Sequence, residues 1–170
     1  MRPTRAVACL LVPALLAACS GDATSAPPGD GATSATGKPP IATVTITATD
    51  CVLDAGHTPV PMGDASIVAV NDTDVDAEFH MWAMDADRWD DFVTRMQEEV
   101  RRSEAGEPFI GPPDWAAGPF PQVELAPGET GSLDGFLGDG TWGIACLKTY
   151  EELGEIRVSG FAGPIEVTKE

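Results

Sequence analysis

The sequence predicts an all-β Greek-key sandwich that carries one inserted α-helix. Short stretches of alternating apolar and polar residues recur along the chain, the period-2 signature of half-buried strands. Gly, Pro, Asn and Asp punctuate these stretches at turn positions. One segment switches to the 3.6-residue period of a helix. A series of short strands with a lone helix indicates a sandwich rather than alternating α/β units.

The elements follow in order. Residues 41–48, IATVTITA, alternate Val44, Ile46 and Ala48 against threonines. Residues 65–72, ASIVAVND, form a more apolar strand closed by Asn71 and Asp72. Residues 76–87 place Ala77, Phe79, Met81 and Ala83 on one face and Glu78, His80, Trp82 and Met84 on the other. Both sets contain large side chains, so the pattern does not say which face is inside.

Trp89, Phe92, Val93, Met96 and Val100 then stand at helical spacing. Asp85 or Asp87 can cap the helix, Asp90 and Asp91 suit its positive N-terminal end, Arg101 and Arg102 suit its C-terminal end, and Gly106 can stop it. Residues 108–122 read as an irregular Pro/Gly loop plugged by aromatics. Residues 123–137 read as strand, turn and strand, with Ala126–Glu129 at the turn. Residues 140–146, GTWGIAC, read as a strand ending at Cys146. Residues 154–160 and 163–169 read as two short final strands.

The N-terminus divides the chain. Arg2 and Arg5 precede an apolar run from Ala6 to Ala18. That run is shorter than the about 20 residues a membrane span needs and has the shape of a secretory signal. Its end, Leu16-Ala17-Ala18-Cys19, resembles a bacterial lipobox. The resemblance implies cleavage after residue 18, a lipid-modified (palmitate-type) Cys19, and anchoring to the extracytoplasmic face of the cell membrane. Residues 19–40 hold almost no large apolar side chain and read as a disordered Ser/Thr/Ala/Gly/Pro tether. Residues 41–170 suffice for one domain with a core, and the helix with its Pro-rich loop forms an insertion over about 86–121.

The chain carries 27 acidic against 10 basic side chains, a formal charge of −17. Removing Arg2 and Arg5 with the signal takes −17 to −19. Such acidity excludes nucleic acid as a partner. No G-x-S-x-G, P-loop or dinucleotide fingerprint is present, so no enzyme is expected. Of the four cysteines, Cys9 would leave with the signal and Cys19 would carry lipid. Cys51 and Cys146 remain, an even number in an oxidising compartment. On residues alone Cys146 can close a disulfide, bind a metal or act as a nucleophile. His80, Glu78, Met84 and His57 are candidate ligands for a mixed copper or iron site, although neither histidine sits in a C-x-x-C or H-x-x-x-H pattern. The carboxylates of "DADRWDD" and "QEE" lack calcium-loop spacing and read as a solvated helix face.

The strand ending at Asn71, the strand bearing His80, the Ala126–Glu129 turn, the strand GTWGIAC and the closing GPIEV together resemble a cupredoxin over residues 41–170, apart from 86–121. Type 1 copper takes two imidazoles and a thiolate. Cys146 matches the cysteine, but the following LKTYEELG supplies no second histidine and no methionine. The chain is more similar to the cupredoxin-like domain of Efe-type periplasmic iron-uptake proteins and related secreted lipoproteins. That resemblance implies a Cys51–Cys146 disulfide and a glutamate at the position of Glu78. The missing copper ligand, the lipobox and the tether lead to a copper-free scaffold without a resident cofactor, expected to act as a non-catalytic binding module for an unknown protein or small ligand. Trp89, Trp115 and Phe120 in the insertion are then candidates for the partner surface. The alternative is a lipoprotein that handles copper or iron.

Overall fold

The structure is a computed structural model that describes residues 39–56, 59–118 and 121–169. The expected signal, Cys19 and all but the last two residues of the tether lie outside the described residues, as do His57 and Phe120.

Among the described residues, nine strands form two sheets. The first has the order β2 (Cys51–Ala55), β1 (Ala42–Ile46), β4 (Gly63–Asn71), β7 (Thr130–Leu137). The second has the order β3 (Val60–Pro61), β9 (Glu155–Thr168), β8 (Gly140–Tyr150), β5 (Ala77–Met84), β6 (Gln122–Leu125). β1 runs parallel to β4 and antiparallel to β2. Sequential strands repeatedly change sheet, as in a Greek-key sandwich; the Ala126–Glu129 turn itself carries the chain from one sheet to the other.

Alternation explains the layering. Val44, Ile46, Ile67 and Ala69 of the first sheet pack against Phe79, Met81, Ile144 and Ile165 of the second, all essentially without solvent exposure. Each of these side chains larger than alanine contributes about 1.5–3 kcal/mol by leaving water. The other face of the second sheet is covered as well. Helix α1 (Trp89–Glu104) follows a single 3-10 turn (Ala86–Arg88) and lays Phe92 and Met96 on Trp82, Met84, Ala145, Leu147 and Val158. This is why both faces of β5 looked apolar: Phe79 and Met81 are buried on one and Trp82 and Met84 on the other. Gly143 in β8 makes the approach possible, since a Cβ there would stand 2.6 Å from Cε1 of Phe92.

Several expectations are corrected. β8 does not end at Cys146 but runs on to Tyr150. Its polar end is held because Lys148, Thr149 and Tyr150 pair with Arg157, Ile156 and Glu155. The two short final strands are one continuous β9, joined to β8 through register shifts at Trp142/Ile144 and Cys146/Leu147. The strands β2 and β3 were not expected. Neither Asp85 nor Asp87 caps α1 through its side chain, because the 3-10 turn intervenes and Arg88 takes the cap position. Gly106 does follow the helix with a left-handed φ of 79°, the conformation favoured at a helix stop.

Asn71 closes one end of the sandwich. Its buried Nδ2 donates to the carbonyls of Val75 (2.9 Å) and Leu125 (3.0 Å), and its Oδ1 accepts from the backbone and hydroxyl of Thr73. Among the described residues, no helix is long and apolar enough to cross a membrane.

Candidate functional site

Cys51 begins β2 and Cys146 lies in the middle of β8, so the pair comes from different sheets. They form a disulfide with Cα atoms 6.0 Å apart, closing 95 residues of sequence. Both are buried in the core between the sheets. A loop of this length constrains the unfolded chain by about 4–5 kcal/mol in the chain-entropy account.

The position of His80 follows from the register. Cys146 pairs with Phe79 across β5 and β8, and both face the inter-sheet core. His80 is the next residue and pairs with Ala145, which belongs to the helix-side cluster. Successive side chains of a strand point to opposite faces. Cys146 and His80 therefore lie on opposite faces of one sheet. The residues do not fit a type 1 copper: its thiolate is spent in the disulfide and its histidine stands behind the sheet.

His80 instead meets Glu78, with Nε2 2.8 Å from Oε2. Thr149 donates from Oγ1 to the other oxygen of Glu78 at 3.1 Å. Thr149 was missed by sequence reading because β8 was expected to stop three residues earlier. Glu78 and His80 share a cleft of about 160 Å³ with Gln122 and Glu124, their direct partners on β6. Met84 is not with them; it is buried in the helix-side cluster. Among the described residues, no group of three or more His, Cys, Asp or Glu side chains is placed to hold a metal ion.

The insertion is tied down at several points. Ala117 pairs with Ala83 of β5, and the Phe109 amide donates to the Ile156 carbonyl at 2.8 Å. Glu99 is fully buried, which corrects the expectation of a solvated "QEE" face at that one residue, while Gln97 and Glu98 are exposed as expected. Its carboxylate lies 2.8 Å from Nη2 of Arg95 and accepts from the Ile110 amide at 3.3 Å. The spacing of Arg95 and Arg102 at four before and three after Glu99 was the available signal. Of the candidate surface residues, Trp89 stacks on Phe92 at 5.6 Å between centroids, and its ring edge lies against the positions of Gly143 and Gly163. Trp115 is 38% exposed and lies under the guanidinium of Arg88, 5.6 Å from the ring.

A second cleft, of about 300 Å³, opens at the end of the sandwich between the β1–β2 turn, the last turns of α1, and the adjoining ends of β8 and β9. Lys148 and Arg157 are direct cross-strand partners there. Lys148 donates to the Ala48 carbonyl at 2.7 Å. Burial pushes its ammonium below the ordinary lysine value, with Asp74 partly countering. Arg157 is paired twice with Glu155, at 3.1 and 2.7 Å, and lies 5.0 Å from the Tyr150 ring centre.

No protein-family model matches the chain. No curated protein matches it either. A solved structure similar to it is Na-dithionite reduced auracyanin from the photosynthetic bacterium Roseiflexus castenholzii, at 16% identity and a TM-score of 0.39, over 74% of this chain and 94% of that one. A likeness this loose assigns no function.

Proposed function

We propose that this protein is a membrane-anchored extracytoplasmic lipoprotein whose domain is a non-catalytic binding module on a copper-free, cupredoxin-like scaffold. The anchor reading rests on the basic start, the short apolar run and the lipobox-like Leu16–Cys19. The reading of the domain is supported above all by one observation: Cys146 is bonded to Cys51. A disulfide sulfur offers no thiolate to a metal or a substrate. The insertion supplies the partner surface through Trp115, which is partly exposed, while Trp89 is packed on Phe92. Phe120 and Cys19 belong to the proposal on sequence grounds alone.

The second reading, copper or iron handling, draws on the cleft where Glu78 faces Glu124 and His80 faces Gln122. Metal content and a free-thiol count on the purified, processed protein separate the two. Neither metal nor reactive thiol supports the binding module. Stoichiometric metal that leaves on His80→Ala supports metal handling and overturns the first reading.

A further inference from the structure

We propose that the cleft between the β1–β2 turn and the C-terminal turns of α1 binds a small zwitterionic carboxylate of the amino-acid class. The proposal rests on the binding-module reading and adds a ligand to it.

The cleft holds two of the few cations of a strongly acidic chain. Lys148 and Arg157 stand directly opposite each other on neighbouring strands, and both line the cleft. Both retain donors. The bond to Ala48 uses one of the three ammonium hydrogens of Lys148, and the two bonds to Glu155 leave Arg157 with three of its five. Two cations that line one cleft and keep spare donors can receive a carboxylate.

The opposite wall carries the other sign. Glu104 ends α1 and lines the cleft with Ser103, beside the carbonyl-rich, partly negative end of the helix. A polyanion would meet repulsion there. A carboxylate that brings its own ammonium meets both walls, and Thr49 and Tyr150 add hydroxyl groups to the lining. A volume of about 300 Å³ is at the small end of ligand sites and suits a molecule of this size.

Calorimetric titration of the purified, processed protein with L-serine, sodium acetate and methylammonium tests this. Saturable binding of L-serine is expected, at least tenfold tighter than either half-ligand. Lys148→Met should weaken it at least tenfold. Glu104→Gln, on the helix surface, should weaken L-serine binding while leaving acetate unchanged, and circular dichroism confirms that both variants are folded. Absence of L-serine binding overturns the proposal, as does acetate binding equal to that of L-serine or an unaltered affinity in Lys148→Met. The failure stays separate from that of the binding-module reading: a metal-free, thiol-free protein that ignores L-serine loses only this ligand, whereas stoichiometric metal removes the module reading whatever L-serine does.

Discussion

Gly160 lies directly under Cys51. A Cβ at position 160 would stand 2.9 Å from the Cβ of Cys51 and 3.0 Å from its backbone nitrogen. Gly160 is also the ladder partner of Cys146. The disulfide thus crosses between the sheets over a strand position that has no side chain. Gly160→Ala should destabilise the domain by about 1–3 kcal/mol through overpacking, measured by chemical denaturation of the oxidised protein. The penalty should shrink in a Cys51→Ser background, where the crossing is no longer bonded.

Cys51→Ser and Cys146→Ser should each cost about 2–5 kcal/mol. The double variant should cost little more than either, since both single changes remove one bond. Additive losses would mean that the two residues act independently.

The helix is held to the sheet mainly by its apolar stripe. Phe92→Ala should cost about 3–5 kcal/mol and raise amide exchange in 89–104 ahead of the strands. Uniform loss of protection would show that the helix and sandwich unfold as one unit.

Asn71→Ala removes four hydrogen bonds at a buried position and should cost about 1–3 kcal/mol. Thermal melting checks it; a change of only a few tenths would deny Asn71 its role at the end of the sandwich.

Lys148 yields a pH prediction. Its folded-state value lies below the ordinary 10.5, so over the window between them the unfolded chain binds more protons. Stability contributed by this group therefore rises with pH through that window. The difference in unfolding free energy between the wild type and Lys148→Met should move in favour of the wild type as pH climbs toward 10.5. A pH-independent difference contradicts this.

The strand pattern was legible where one face was apolar, as in Val44 and Ile46. It was ambiguous in β5, because burial on both faces erases alternation and only the position of α1 explains Trp82 and Met84. The end of β8 was hidden for another reason: Lys148, Thr149 and Tyr150 look like a turn, and only pairing with β9 makes them a strand. Glu99 looked solvated because its composition is that of an exposed helix; its burial depends on the loop that folds over it. His80 was visible as a residue but its face was not. A one-residue offset from Phe79 decides it, and that offset acquires meaning only once Phe79 is known to pair with Cys146.

Cys146 is committed to Cys51 and so is not free to ligate a metal. Mass spectrometry of a non-reduced tryptic digest tests it directly. The expected product is a peptide ending at Arg88 and carrying Cys51, joined to the peptide from Ser103 to Lys148 and released from it only on reduction. Recovery of the two as separate, alkylated thiol peptides from protein trapped before denaturation would contradict it.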